Sequence, residues 1–357
     1  MIEILIVLVK IILALVWFLT LTLYLTWVER KESAVIQDRI GANRASILGL
    51  RLIGLFQPFA DAIKMIFKED FTPSFSKKFL HNLAPFLSFF FVAITIIAIP
   101  FGDVVHLAGR AIKLQIFDAN VGLLFVLAML SLGIYGILIS GWSSNNRFTI
   151  LGGLRGTAQL ISYEVAFGLS LIGLIMVYPS LQLSQIVHFQ GELIFGFLPK
   201  WGILLQPLGF MIFIVAALAE TKRVPFDLPE GESEIIGFFT EYSGLKWGLF
   251  MMTDFMEIII ISCLVTSLFF GGWQVPWLTA DGFHFPWGGS WLMPHWLVII
   301  FQVTAFNLKV FFFCWLQVLI RWTYPRYRYD QLMDLGWKLL IPLSLVNIVG
   351  TGIVMSI

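Results

Sequence analysis

Charged residues are scarce in this chain. Asp, Glu, Lys and Arg make up 13% of its 357 residues, whereas a soluble domain carries about 25%. Hydrophobic residues make up 59%, and they include 35 Phe and 13 Trp. This composition argues against a soluble globule and indicates a polytopic membrane protein. The formal net charge of +1 also excludes a polybasic nucleic-acid binder.

Residues that hold metals and redox cofactors are also rare. The two cysteines, Cys263 and Cys314, lie inside apolar stretches without a CxxC spacing, which excludes an iron–sulfur cluster and a structural zinc site. The five histidines lie between apolar runs or at their edges, which argues against a membrane-embedded haem. The nucleotide-binding patterns GxGxxG and GxxxxGK(S/T) do not occur. We therefore expect no metal or cofactor bound by this chain itself.

Apolar runs of spanning length, which is about 20 residues, divide most of the chain. Tryptophans lie near the ends of these runs, where amphipathic rings prefer the headgroup layer. We predict an all-α integral membrane protein, a single domain over residues 1–357, with about eight transmembrane helices. The predicted helices cover residues 4–27, 83–101, 121–139, 158–178, 202–219, 249–270, 296–320 and 337–353.

The basic residues between the runs predict the orientation. One set of loops holds most of the 23 Lys and Arg residues, whereas the other set holds Arg110, Lys113 and Lys200. By the positive-inside rule the basic loops are cytoplasmic. We therefore expect both termini on the outer side, which an even number of crossings satisfies.

Residues 52–69 form a segment with one polar and one apolar side. Gln57, Asp61 and Lys64 recur at helical spacing, with Phe59 and Ile63 on the other side. A helix this short and charged should lie at the cytoplasmic interface. It is either a simple surface anchor or the roof of a lateral opening for a lipid-soluble substrate, with Asp61 and Lys64 facing the passage.

Residues 220–234 form the most acidic segment. Pro225 and Pro229 end the fifth spanning helix. Crowded carboxylates raise one another's pKa, so such a group can hold and pass protons near neutral pH; the alternative is a solvated acidic loop. Glu230 and Glu234 would share a helix face. The carboxylates of this segment are Glu220, Asp227, Glu230, Glu232 and Glu234.

Three acidic residues lie within spanning runs. They are Glu164 in the fourth run, and Asp254 and Glu257 in the sixth. A central charge costs about 2.5–3.5 kcal/mol on insertion scales, so we expect these residues to face the bundle interior. Lys309 in the seventh run is the candidate partner of Asp254 or Glu257. The groups indicate a hydrated polar path from the acidic segment toward the bilayer centre, or simply a structural ion pair.

These features resemble a known family, the H subunits of the bacterial proton-pumping NADH:quinone oxidoreductase, counterparts of mitochondrial complex I subunit 1. The matching motifs follow the family's order over nearly the whole chain. They are Glu29-Arg30-Lys31, Gln57-Pro58-Phe59-Ala60-Asp61 with Lys64 and Lys68-Glu69, Gly141-Trp142-Ser143-Ser144-Asn145, Leu154-Arg155, Ala158 to Glu164, Pro225 to Glu234, Glu241-Tyr242, Arg321, Pro325-Arg326, Arg328 to Met333 and Gly336-Trp337-Lys338.

The resemblance implies a subunit at the junction of the membrane and peripheral arms of the complex, in the bacterial inner membrane. It would form a quinone-access chamber and couple quinone reduction to proton translocation. A quinone, ubiquinone or menaquinone, is then the substrate, while NADH, FMN and iron–sulfur clusters belong to the partner subunits. The implied quinone-channel residues are Glu29, Arg30, Asp61 and Lys64. The implied proton-coupling residues are Glu164, Glu220, Asp227, Glu230, Glu232, Glu234, Glu241 and Asp254.

The chain departs from the family pattern at a few positions. Asp254-Phe255 stands where the family usually has Glu-Tyr, and Lys222 stands in place of Asn. Gly41-Ala42-Asn43 replaces Gly-Pro-Asn. Glu257 and Lys222 are candidates for local compensation of these departures.

Three other functions are consistent with parts of the sequence. The first is the related membrane subunit of an energy-converting hydrogenase-type complex, which need not reduce quinone. The second is a stand-alone ion-coupled transporter, against which the absence of inverted repeats and paired broken helices counts. The third is a scaffold that docks a soluble arm on its charged loops. The full set of cytoplasmic motifs favours the quinone enzyme.

Overall fold

The computed structural model describes residues 2–47, 49–107, 109–231 and 234–356, and the chain is mostly helical. The twelve α-helices of this described part are α1 (Ile2–Ile36), α2 (Gln57–Phe67), α3 (Lys78–Thr95), α4 (Gly122–Ser143), α5 (Arg147–Val177), α6 (Leu183–Gln190), α7 (Gly202–Leu205), α8 (Pro207–Glu220), α9 (Gly244–Phe269), α10 (His295–Thr323), α11 (Tyr329–Asp334) and α12 (Ile341–Ser356). A 3₁₀ turn, Ile96–Ala98, extends α3, and a π-helical stretch, Leu335–Leu340, joins α11 to α12.

Within the described residues, seven helices are long and apolar enough to cross a membrane. They confirm the predicted helical membrane architecture and seven of the eight predicted runs. The remaining run, the fifth, covers residues 202–219 and is divided between α7 and α8, which meet at Gln206. Helix α8 has 14 residues and is therefore about 21 Å long, less than the bilayer core of about 30 Å. The count of eight crossings thus stays a prediction.

Helix α9 forms the centre of the bundle. Within its apolar window 83% of the residues are buried, against 11% for α1. Helices α1, α2, α3 and α10 pack around it. Since Asp254 and Glu257 lie on α9, their carboxylates are enclosed by protein, as the sequence predicted for acids within a span.

Helix α1 is longer than a bilayer crossing requires. Its 35 residues extend about 52 Å, whereas the bilayer core is about 30 Å thick. The last turns of α1 therefore extend beyond the apolar run that ends at Trp27. Glu29 and Arg30 lie in this extension, beside the loops of that end of the bundle.

The amphipathic helix is confirmed, although it is shorter than the predicted segment 52–69. Pro58 stands in the first turn of α2, where its missing N–H costs no hydrogen bond. The preceding residues make a tight turn in which Gly54 has φ +85°, and a Cβ there would lie 2.2 Å from the Ala42 carbonyl oxygen. Helix α2 packs on α9 and α1. Most of its side chains stay accessible.

Short β-strands also form in this chain, so the all-α prediction is wrong for three connections. The strands are β1 (Val104–Leu107), β2 (Arg110–Lys113), β3 (Leu193–Ile194), β4 (Leu198–Pro199), β5 (Leu278–Thr279), β6 (Gly282–His284) and β7 (Ser290–Leu292). They pair antiparallel as β1-β2, β3-β4 and β5-β6-β7. A hairpin needs pairing only between residues that are close in sequence. The residues between two apolar runs carry no pattern that distinguishes such a hairpin from an irregular loop.

Both ends of the bundle are joined by polar contacts. At the hairpin end, His295 Nε2 lies 3.1 Å from the Val104 carbonyl oxygen, and Trp277 Nε1 donates to the Phe197 carbonyl at 3.0 Å. The other end, here called the acidic end, holds α2 and the acidic loop, residues 221–243, between α8 and α9. Most predicted site residues lie there.

Candidate functional site

The acidic loop is anchored against α5 and against the segment that follows α10. Gln159 on α5 donates to the carbonyls of Ala219 (2.8 Å) and Phe226 (2.7 Å), before and within the loop. The Tyr327 amide donates to the Pro225 carbonyl at 3.1 Å and connects the loop to the segment after α10. On α5, Gly156 permits close approach, since a Cβ there would lie 2.8 Å from the Pro229 ring. These contacts hold the loop's carboxylates at fixed positions.

Glu29 is held between two arginines that are distant in sequence. Its Oε2 lies 2.8 Å from Arg223 Nη1, and its Oε1 lies 2.5 Å from Arg321 Nη1. The Glu29 residue is 9% exposed. The Arg223 guanidinium also stacks on the Phe255 ring, 4.0 Å from its centroid. We call Glu29, Arg223 and Arg321 the arginine clamp; it joins α1, the acidic loop and α10.

A second buried cation, Lys222, lies between two carboxylates of α9. Its Nζ is 3.1 Å from Asp254 Oδ1 and 2.8 Å from Glu257 Oε1. Asp254 and Glu257 are three residues apart and so share a helix face. We call these three residues the lysine triad. Lys222 has φ +53°, the left-handed conformation, at a cost of about 1–2 kcal/mol.

The prediction that Lys309 is the partner of Asp254 or Glu257 is wrong. Lys309 donates to three backbone carbonyls that follow α9, at 2.8, 3.0 and 2.8 Å, and lies 4.9 Å from the centroid of the Trp201 ring. It therefore stabilises the carboxyl end of α9 at the opposite end of the bundle. The three carbonyls belong to Phe270, Gly272 and Gln274.

Three carboxyl groups of the predicted path lie around the acidic loop. Asp227 Oδ2 lies 2.6 Å from Arg326 Nη2. Burial nevertheless raises the pKa of Asp227 to about 6. The pKa of Glu230 is raised well above its ordinary value by burial, then by the nearby charges of Asp254 and Asp227. Glu220 ends α8 and is 6% exposed, and its Oε2 makes no hydrogen bond with the residues that the structure describes.

The remaining predicted carboxylates lie around this centre. Glu164 on α5 accepts a hydrogen bond from Ser131 on α4. Glu241 accepts from Asn146 Nδ2 at 2.8 Å, and Glu234 pairs with Arg155 at 2.7 Å near the surface.

The prediction for residues 230–234 concerned the conformation of the backbone that carries their carboxylates. Residues 230 and 234 are not helical, so the prediction that Glu230 and Glu234 share a helix face is wrong. Two prolines and Gly231 explain why the helix does not form. Glu232 lies outside the described residues.

The predicted quinone-channel residues are divided between two environments. Arg30 Nη1 lies 2.7 Å from Asp61 Oδ2, and Gln57 Nε2 donates to Asp61 Oδ1 at 3.2 Å. Lys64 is exposed on α2, while Glu29 is buried in the arginine clamp. A cleft of about 510 Å³ opens beside Arg30. Its lining is Arg30, Arg39, Ile40, Gly41, Ala42, Asn43, Arg44 and Gln57.

Sequence reasoning missed the cations that neutralise the carboxylates. Arg223, Arg321 and Arg326 occur in motifs or loops that the sequence singled out, but nothing local indicates their partners. The unusual Lys222 was the one available signal, and the structure pairs it with Asp254 and Glu257. Over residues 2–47, 49–107, 109–231 and 234–356, no three His, Cys, Asp or Glu side chains group closely enough to hold a metal ion.

Comparison with known proteins gives the family. The profile of the family described as NADH dehydrogenase matches residues 9–352. The chain belongs to this family. It is 46% identical over 342 residues to the first of the NADH-quinone oxidoreductase H subunits of Geobacter metallireducens, covering 95% of this chain and 94% of that protein. It is 41% identical over 335 residues to the corresponding H subunit of Cytophaga hutchinsonii, covering 94% and 92%.

The family membership confirms the resemblance seen in the motifs. A third relative, the second NADH-quinone oxidoreductase H subunit of Geobacter sulfurreducens, is 45% identical over 342 residues, covering 95% of this chain and 94% of that protein. This NADH dehydrogenase family chain is thus a multi-pass membrane protein, and the prediction that it is one subunit of an NADH-quinone oxidoreductase is confirmed.

Proposed function

We propose that this subunit admits a quinone from the bilayer and couples its reduction to proton movement through the carboxylates of the acidic end. The observation that supports this most directly is the arginine clamp. Glu29, from the quinone-channel set, and Arg223, from the acidic loop, are 2.8 Å apart. The two sets of residues therefore form one electrostatic unit.

The quinone passage would run past α2. This helix is amphipathic, packs on α1 and α9, and leaves Ile63, Ile66 and Phe67 exposed toward lipid. The Arg30–Asp61 pair and the cleft beside Arg30 lie next to it. Guanidinium and carboxamide groups can donate hydrogen bonds to quinone carbonyl oxygens. We propose that the quinone head passes this pair.

Coupling would be electrostatic. A unit charge change at 4 Å from a charged group shifts its energy by about 4 kcal/mol at an effective dielectric constant of about 20, which corresponds to about 3 pKa units. A charge that develops near Arg30 and Glu29 would thus change the total electrostatic potential at Glu230 and Asp254, the two carboxyl groups on which Arg223 also acts. The carboxyl groups of the loop would gain or lose protons in response.

Several parts of this proposal come from the resemblance and the sequence. The first is a topology of eight crossings with both termini periplasmic. The second is that partner subunits of the peripheral arm hold NADH, FMN and the iron–sulfur clusters. The third is contact with adjacent small membrane-arm subunits. The redox cofactors would supply electrons, and this chain's residues would hold the quinone and move protons.

The second candidate function is the membrane subunit of an energy-converting hydrogenase-type complex. The Arg30–Asp61 pair beside the amphipathic helix favours the quinone enzyme, because a hydrogenase-type subunit has no need of a lipid-side passage. Copurifying hydrogenase subunits would reverse this choice. A stand-alone transporter would instead purify alone and catalyse ion-coupled uptake in liposomes.

The test compares two carboxylates of the acidic loop. Glu230→Gln should lower quinone-dependent NADH oxidation by about 100-fold, the usual size of a proton-transfer contribution, and abolish coupled proton uptake. Glu234→Gln should have a smaller effect because Glu234 is half-exposed and paired with Arg155. The double variant should resemble Glu230→Gln.

The matched control is Glu192→Gln, an exposed pair with Lys200 at the hairpin end, which should leave both rates unchanged. NADH oxidation by a soluble acceptor that bypasses the quinone reports correct assembly. Normal quinone reduction and normal proton yield in Glu230→Gln and in the double variant would refute the coupling function.

A further inference from the structure

The lysine triad places one buried ammonium between two buried carboxylates. Two carboxylates one helical turn apart repel each other, and burial disfavours both charges. Their side chains are 7% and 9% exposed, and that of Lys222 is 4% exposed. A single ammonium within 3.1 Å of both carboxylates opposes this repulsion and favours their ionised forms.

Glu220 lies in a different situation. It is two residues before Lys222, and its carboxyl group is buried. The charges that act on it come from Glu257 on α9, Glu164 on α5 and Lys222 in the loop. Its Oε2 makes no hydrogen bond within the described part of the chain, and neither does Glu257 Oε2. Glu257, however, contacts the ammonium through Oε1, and Asp254 contacts it through Oδ1. A carboxyl group without such a contact binds a proton more readily.

We infer that Lys222 is a positioning residue of the proposed proton-coupling path, whose ammonium stabilises the carboxylate forms of Asp254 and Glu257 and leaves Glu220 as the group that binds and releases the proton. This inference rests on the proposed function. It assigns different protonation states to neighbouring acids. Lys222 acts through these acids and need not touch the quinone.

The backbone supports a fixed position for this charge. Lys222 follows the end of α8 in a left-handed conformation, φ +53°, and the Arg223 side chain next to it is fixed by Glu29 and Phe255. The backbone of Lys222 is thus constrained by α8 on its amino-terminal side and by Arg223 on its carboxy-terminal side. Burial lowers the pKa of Lys222, but the charges of Glu257 and Asp254 raise it above its ordinary value. The ammonium can therefore act on nearby acids without itself exchanging protons at neutral pH.

The experiment uses the assembled complex in membranes. Lys222→Gln removes the charge at similar length, so one of Asp254 and Glu257 should take up a proton. Half-maximal quinone-reductase turnover should then move to higher pH by about one unit, with turnover at neutral pH lowered about tenfold and the KM for quinone unchanged. Lys222→Arg should retain the wild-type profile.

The decisive variant is the double replacement Lys222→Gln with Glu257→Gln. It removes one negative charge together with the positive one, so the pH profile should return to that of the wild type. Lys338→Gln is the control, since Lys338 forms an exposed i,i+4 pair with Asp334 and its loss should leave the profile unchanged.

Two results would overturn the inference: an unshifted pH profile in Lys222→Gln, or a double variant no closer to wild type than the single one. If Lys222→Gln fails to assemble, recovery of assembly and pH profile in the double variant supports it, and failure to recover refutes it. If the pH profile of Lys222→Gln is unshifted while Glu230→Gln still blocks turnover, the inference about Lys222 is wrong and the proposed function stands. Normal turnover in Glu230→Gln would refute the proposed function itself.

Discussion

The replacement Glu29→Gln tests whether the arginine clamp holds the acidic loop in place. Glu29 contacts Arg223 at 2.8 Å and Arg321 at 2.5 Å, one through each carboxylate oxygen. A Gln amide has one acceptor oxygen, so one guanidinium would keep a contact and the other would face an NH₂ group. Arg223 would still stack on Phe255.

The size of the effect follows from burial. Removing one partner of a buried charge pair costs about 3–5 kcal/mol. The side chain of Arg321 is 21% exposed, so its share falls toward the roughly 1 kcal/mol of surface pairs. We expect a loss of about 3 kcal/mol, which makes local opening of the loop about 100-fold more frequent, since 1.4 kcal/mol is a factor of ten.

Hydrogen–deuterium exchange of the complex measures this opening. The Tyr327 amide, which donates to the Pro225 carbonyl at 3.1 Å, is the reporter and should exchange about 100-fold faster in Glu29→Gln. Asp330→Asn, in an exposed pair with Arg328, should leave it unchanged. An acceleration of less than about fivefold, which corresponds to about 1 kcal/mol, would refute the reasoning that the clamp fixes the loop.

Two further predictions concern single residues. Because burial raises the pKa of Asp227 to about 6, the native loop binds this proton more tightly than the unfolded chain, so loop stability should fall as the pH rises through 6. Asp227→Asn should flatten this dependence in amide exchange corrected for intrinsic rates; an unchanged slope would contradict it. Lys309→Met should lower the thermal stability of the complex, since each unsatisfied carbonyl costs about 1–3 kcal/mol, without shifting the pH profile of turnover. A normal inactivation temperature would show that these bonds contribute little.

The sequence by itself determined that the chain lies in a lipid bilayer, where most of its helices form and which family it resembles. Low charge content and apolar runs depend only on neighbouring residues, so they predicted seven of the spanning helices and the amphipathic α2. The carboxylates of the acidic loop were identified for the same reason. The charged ends of helices were missed for the same reason, since α5 begins at Arg147 and not at the predicted residue 158. Motifs spread along the chain identified the family before any contact was known.

Tertiary structure alone decided which charges meet. Lys309 is the nearest basic residue to Asp254 within a predicted span, yet Lys222 is the partner, and Glu29 pairs with Arg321 across nearly the whole chain. Such pairings depend on how helices pack, and hydrophobic periodicity gives the buried face of a helix without its neighbour. An ionisable group takes its protonation state from those neighbours. The sequence therefore placed the acids at one end of the bundle, and the fold decided which of them have a counter-charge.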